Sequence, residues 1–136
     1  MSFRIDHLGI AVKSIAEARK FYEQLGMAVL HEEQVAHEKV NTAMIPCGES
    51  RIELLEATSP ESTVQRFIEK RGEGLHHIAL HVDDLSATFE ELKTKGVRLI
   101  SDEIKIGAGG HMYVFVHPSA AGGVLVELVQ DPASAV

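Results

Sequence analysis

One pattern occurs twice in this chain, and few folds accommodate it. Ile5-Asp6-His7-Leu8-Gly9-Ile10-Ala11-Val12 opens the first copy, and Leu75-His76-His77-Ile78-Ala79-Leu80-His81-Val82 opens the second. A shift of 70 residues carries His7 onto His77, Gly26 onto Gly96, and the helix-like stretch 14–24 onto 84–94. Each copy closes on a glutamate set between apolar neighbours, Ile52-Glu53-Leu54 in one and Val126-Glu127-Leu128 in the other. Histidine and glutamate are 46 residues apart in the first copy and 50 in the second. The repeat therefore offers one imidazole and one carboxylate twice over.

Local patterning assigns each copy the same elements. Leu8, Ile10 and Val12 alternate with His7, Gly9 and Ala11, which predicts a strand with one oily face and a second face where His7 has only small neighbours. Ser14, with Glu17 three residues on, predicts a capping box. The helix it opens has Ile15, Ala18, Phe21, Tyr22 and Leu25 as its stripe and Gly26 as its stop. Strands are expected near 27–36, 39–46 and 51–57, with Pro46-Cys47-Gly48-Glu49 turning between the last two. A connector helix starts at Ser59-Pro60-Glu61-Ser62, turns Val64, Phe67 and Ile68 to one side and ends near Arg71-Gly72. The second copy repeats the order. It has a strand at 75–82, a helix at 84–95 with Leu85, Phe89 and Leu92 inward, and strands near 97–101, 111–117 and 123–129. Asp83-Asp84 closes the strand and caps the helix. Residues 131–136 read as a loose tail. The expected architecture is α+β: two βαβββ modules forming a cupped mixed sheet around a metal site, helices outside. The whole of 1–136 reads as one domain, with modules at about 4–57 and 75–130 joined by a connector helix at about 59–72.

Composition removes several function classes. A net charge of −7 disfavours broad binding to nucleic acid or anionic membrane. No apolar run approaches the roughly 18 residues that a membrane span needs, and the N-terminus has no signal-peptide pattern. Cys47 is the one cysteine, so an internal disulfide is ruled out and a reducing cytoplasm is the expected location.

A mid-strand glutamate between two aliphatic residues is poorly placed unless something neutralises it. Taken singly, Glu53 or Glu127 reads equally well as an edge-strand residue in solvent. Two of them at equivalent points, matched to two equivalent histidines, make a mixed nitrogen and oxygen set: His7, Glu53, His77 and Glu127. Such a set suits a divalent cation, with cobalt, manganese, nickel and zinc all admissible. Four protein ligands on a six-coordinate ion leave two neighbouring positions for a substrate with two adjacent oxygens. The other histidines carry blander readings. His76 packs on the helix side, His81 lies on the pocket face, His111 and His117 line a rim, and His31 and His37 are surface residues. Cys47 has no partner for nucleophilic work.

The chain resembles the vicinal oxygen chelate superfamily (the glyoxalase, bleomycin-resistance and dioxygenase proteins), and within it the methylmalonyl-coenzyme A epimerases. The resemblance is carried by Asp6-His7-Leu8-Gly9-Ile10-Ala11-Val12, Arg51-Ile52-Glu53-Leu54-Leu55-Glu56 and Gly74-Leu75-His76-His77-Ile78-Ala79. Val82-Asp83-Asp84, Ile106-Gly107-Ala108-Gly109-Gly110-His111, His117-Pro118 and Gly122-Gly123-Val124-Leu125-Val126-Glu127-Leu128 extend it over about residues 4–130. It implies His7, Glu53, His77 and Glu127 as metal ligands, cobalt foremost, and Glu127 as a catalytic group as well. It also implies an acyl-coenzyme A substrate, (R)- and (S)-methylmalonyl-CoA, interconverted by proton abstraction at C2 through a metal-stabilised enolate. Propionate metabolism and a homodimer follow from the same resemblance. Some relatives have a second glutamate on the strand before the turn, where the best match is Asn41, whose amide takes no proton. The second acid/base is left open among water, His81, Glu38 and His111, or Glu127 serves on both faces. Lys39, Lys105 and the Gly107-Ala108-Gly109-Gly110 loop are candidates for coenzyme A phosphates, each of which also reads as ordinary solvated surface.

Three rivals share the fold. A glyoxalase I (lactoylglutathione lyase)-type isomerase is disfavoured by the long 53–77 connector. A metal-free small-molecule-binding resistance protein needs no ligand quartet. A ring-cleaving dioxygenase uses two histidines and one glutamate, typically in a longer chain.

Overall fold

The computed structural model describes residues 2–132. The chain forms two compact units, one of residues His7–His76 and one combining the residues up to Asp6 with those from His77 onward. Each is an α+β arrangement of a mixed sheet with a helix on one face.

In the first unit, strand β1 (Arg4–Ala11, entering at His7) leads to helix α1 (Ile15–Gln24), then β2 (His31–Val35), β3 (Val40–Cys47), β4 (Ser50–Ala57) and helix α2 (Thr63–Arg71). The strands lie in the order β2-β3-β4-β1. β4 pairs antiparallel with β3 and parallel with β1, with Gly9 opposite Glu53 and Met44 opposite Glu53 on the other side. One face, carrying Ile10, Val12, Ala43, Ile45, Ile52 and Leu54, packs under Ile15, Ala18 and Tyr22 of α1. Ile45 and Leu54 are wholly enclosed.

Local chemistry sets the helix ends. Ser14 Oγ accepts from the Glu17 amide at 3.2 Å, the expected cap. The return half of the capping box is diverted, because the Glu17 carboxylate pairs with Lys20 Nζ at 3.1 Å. The Ile15 amide, a first-turn donor with no partner inside the helix, donates to Glu56 Oε1 at 2.7 Å, which ties the helix start to β4. Past the helix end, Gly26 takes φ +91°, a conformation in which a side chain would be strained. Phe21 and Leu25 do not join the stripe and are about 60% exposed. Phe21 is one residue, about 100°, round the helix from the inward Tyr22, and rests its edge on that ring at 5.3 Å.

In the second unit, β5 (Gly74–His81, entering at His77) is followed by helix α3 (Leu85–Thr94), β6 (Lys105–Ile106), β7 (Met112–Val116) and β8 (Val126–Gln130). The order is β5-β8-β7-β6, parallel between β5 and β8 and antiparallel thereafter. Val82, Leu85, Phe89, Val114, Val116 and Leu128 form the core under α3. Asp84 caps α3, its Oδ1 accepting from the Ala87 amide at 3.0 Å.

The strand expected at 97–101 does not form. That segment makes a single bridge, Leu99 to Val116, and the edge strand is the two-residue β6 further on. The amides of Ile100 and Ser101 both donate to Phe115 O, at 2.9 and 3.3 Å, so two residues face one and the ladder breaks as at a bulge. The first edge strand is also shorter than expected, beginning at His31 rather than near 27. Of the proposed loose tail, Asp131 is engaged by Arg4, His81 and His111, and 133–136 lie outside the described residues. Among the described residues no helix is long and apolar enough to cross a membrane.

Candidate metal centre

Strand alternation decides what faces away from the helices. In β1 and β4 the positions facing α1 are even-numbered (Ile10, Ile52, Leu54), so His7, Gly9, Arg51 and Glu53 take the other side. There His7 Nε2 lies 3.5 Å from Glu53 Oε1, and both residues are buried, 5% and 6% exposed. Gly9, opposite Glu53, places no side chain beside the carboxylate.

The second unit builds the equivalent pair. Leu80, Val82, Val126 and Leu128 face α3, which leaves His77, Ala79, His81, Glu127 and Val129 on the opposite face. His77 Nε2 lies 3.1 Å from Glu127 Oε1, with the two residues 4% and 8% exposed. Ala79, opposite Glu127, plays the part of Gly9. On the far side of Glu127 stands Phe115, whose ring meets the His77 imidazole edge-on at 5.7 Å and Tyr113 at 5.6 Å. Buried Ser101 accepts from the Phe115 amide at 2.9 Å and holds that strand in place. Nothing in the sequence around Ser101 singles it out, because its partner is a backbone amide 14 residues away.

These pairs fit a metal. Two donors about 2.1 Å from one ion stand about 3.0 Å apart at a right angle and about 3.4 Å apart at the tetrahedral angle. The two observed separations, 3.1 and 3.5 Å, are close to those values. Each pair is a buried imidazole and carboxylate, a donor set whose negative charge a divalent cation would offset in a poorly solvated setting.

The remaining sequence candidates go elsewhere. Asn41 is not on the ligand face: it pairs with Glu56, on the α1 side, and the β3 residues beside Glu53 are Thr42 and Met44. Register overrules the sequence match because a one-residue offset reverses a strand side chain. His76 rests edge-on against Phe67 of α2 at 5.1 Å. His117 is a cap rather than a rim residue, its Nδ1 accepting from the Ser119 amide at 3.0 Å. His31 pairs with Glu33 at 2.9 Å and His37 lies 3.7 Å from Glu38, both at the surface. Lys39 is committed to Glu61 at 2.7 Å, and that hydrogen bond, reinforced by the lysine's charge, holds the Glu61 carboxyl below its usual range. Lys105 shares the ligand face of the second unit, opposite Tyr113. Cys47 is exposed and free.

Known proteins resemble this chain over most of its length. Residues 6–115 match the family described as Glyoxalase/Bleomycin resistance protein/Dioxygenase superfamily. A Bacillus subtilis (strain 168) protein, YqjC, described as uncharacterized, is 45% identical over 128 residues, covering 93% of this chain and 91% of its own. The human mitochondrial methylmalonyl-CoA epimerase is 37% identical over 129 residues, covering 93% of this chain and 73% of its own. Among solved structures, a Streptomyces coelicolor methylmalonyl-CoA epimerase variant in complex with 2-nitronate-propionyl-CoA superimposes with a TM-score of 0.90 at 37% identity. That match covers 96% of this chain and 98% of the other. The chain thus belongs to the glyoxalase/bleomycin resistance/dioxygenase superfamily, among the relatives of the methylmalonyl-CoA epimerases.

Proposed function

We propose that this protein is an isomerase interconverting (R)- and (S)-methylmalonyl-CoA by moving the proton at C2. The observation that carries the reading is the pair of buried histidine–glutamate couples, His7 with Glu53 and His77 with Glu127, each on the helix-free face of its sheet. The relatives named as epimerases of this substrate support it.

In this reading His7, Glu53, His77 and Glu127 together hold one divalent cation. Bound there, it would offset the negative charge that builds on the substrate's carbonyl oxygens as C2 is deprotonated. Two imidazoles and two carboxylates on a six-coordinate ion favour cobalt, manganese or nickel over zinc, which prefers four ligands, and cobalt is our first choice. Glu127 has a second task. A carboxylate is acceptor-only when ionised, so it can take the C2 proton and return it. Phe115 and Ala79 stand on either side of it as apolar neighbours. The C2–H bond breaks, its electron pair passes into the thioester carbonyl, and reprotonation on the opposite face inverts the centre. A homodimer belongs to the same reading, supported by the exposed Phe21, Leu25 and Leu30 of the first unit.

The test is incubation of metal-loaded protein with methylmalonyl-CoA in deuterated water. Deuterium at C2 with loss of stereochemical purity is expected. Inertness toward it, with turnover of a glutathione hemithioacetal, would assign the chain to the other branch of the superfamily.

A further inference from the structure

The proposed reaction needs a second proton donor, and the sequence match for it, Asn41, faces the wrong side of its sheet. The ligand face of the second unit holds another titratable group close to Glu127. His81 is opposite Val129 in the β5–β8 register and Ala79 is opposite Glu127, so His81 is displaced from Glu127 by two residues along the strand and one strand across. That is about 6.6 Å along and about 4.8 Å sideways. Two acid/base atoms that flank one carbon, each about 3–3.5 Å from it, must stand about 6–7 Å apart. Backbone positions about 8 Å apart on one face meet that requirement with a substrate carbon held edgewise between the side chains.

Its surroundings suit the task. His81 is 16% exposed at the side chain, enclosed yet open at an edge. Its Nε2 is 3.7 Å from Asp131 Oδ2, near enough for the carboxylate to orient the ring but too long to be a hydrogen bond that clamps it. The neighbouring histidine is differently placed. His111 has Nδ1 3.0 Å from Ala108 O and Nε2 3.3 Å from Asp131 Oδ1, so both of its ring nitrogens are occupied. Arg4 approaches the same Asp131 at 3.8 Å, so that carboxylate stands among three basic side chains at the end of β8.

We infer that His81 is the second acid/base of the epimerisation, with Asp131 as its positioning residue. The inference rests on the epimerase reading above. Starting from one epimer, Glu127 takes the C2 proton and the electron pair moves into the thioester carbonyl. The imidazolium N–H of His81 then breaks and delivers its proton to the opposite face of C2, leaving neutral His81 and protonated Glu127. Exchange with water restores both, and the other epimer runs the sequence in reverse. The groups that face His81 are Asp131 after β8, His111 before β7, Arg4 on β1, and, along its own sheet face, His77, Glu127, Tyr113 and Lys105.

His81→Gln tests it, with each epimer followed separately in deuterated water by NMR and chiral analysis. Epimerisation is expected to fall by at least ~100-fold. The epimer deprotonated by Glu127 should still gain deuterium at C2 with retained configuration, and the other epimer should not. Epimerisation at the wild-type rate, or exchange lost equally from both epimers, would overturn the assignment. Wild-type protein that exchanges neither epimer would instead sink the underlying reading. Asp131→Asn is the second variant. Removing the carboxylate takes away the group that orients the ring, so kcat in the direction that needs a proton from His81 should fall while KM changes little. The Glu127-dependent exchange should keep its rate. Unchanged rates in both directions would count against His81.

Discussion

At the level of single residues, the histidine–glutamate couples proposed as ligands are legible because the repeat states them twice. A histidine opposite small residues and a glutamate between aliphatics are unremarkable alone, but their recurrence marks one face as chemically committed. Two outcomes follow. Glu127→Gln is expected to lower epimerisation by at least ~100-fold, since an amide accepts no proton from carbon, and to weaken metal binding as well. Rates near wild type in a coupled assay would contradict its role. His7→Ala removes an imidazole that lies 3.5 Å from Glu53 and should drop metal content well below one ion per chain by elemental analysis. Retained stoichiometric metal would exclude His7 as a ligand. Asn41 shows where residue-level reading fails. Its place in the sequence suggested the reacting face, whereas its pairing with Glu56 puts it under α1. No local signal distinguishes the two, because which parity faces the helix is set by the packing of the whole strand.

At the level of elements, caps and stops were readable and edges were not. Ser14 and Asp84 accept from helical amides as expected, since a short oxygen-bearing side chain before a helix has an unsatisfied donor within reach. The connector helix, by contrast, starts at Thr63 rather than near 59, with Ser62 as its cap. Asp84→Ala should cost about 1 kcal/mol, seen as a lower urea midpoint with unchanged m-value. Leu54 is fully enclosed between β4 and α1, so Leu54→Ala should cost about 2–5 kcal/mol in the same experiment. The segment 97–101 has the alternation of a strand, and Val97 and Leu99 do reach the core. Pairing fails where two of its amides converge on Phe115 O, a backbone event that leaves no trace in side-chain periodicity. Phe21 and Leu25 fit a helical stripe equally well by spacing, and only the narrow contact of α1 with its sheet excludes them.

At the scale of the molecule, the metal proposal makes stability depend on the ion. Anything that binds the folded chain alone adds RT ln(1 + [L]/Kd), about 2.7 kcal/mol when free metal is 100 times the dissociation constant. Stripping with EDTA should then lower Tm by on the order of 10 °C, and cobalt should restore it. A melting curve indifferent to chelator and to added cobalt would argue against a resident cation. The sequence by itself determined the duplicated βαβββ order, most helix ends and the two equivalent histidine–glutamate couples proposed as ligands, because periodicity, capping chemistry and repetition are written locally. Tertiary structure decided which strand face each residue occupies, which apolar side chains stay in solvent, and that His81 shares a sheet face with Glu127 and lies 3.7 Å from Asp131. Those outcomes depend on register and packing between segments distant in the chain, and no local pattern encodes them.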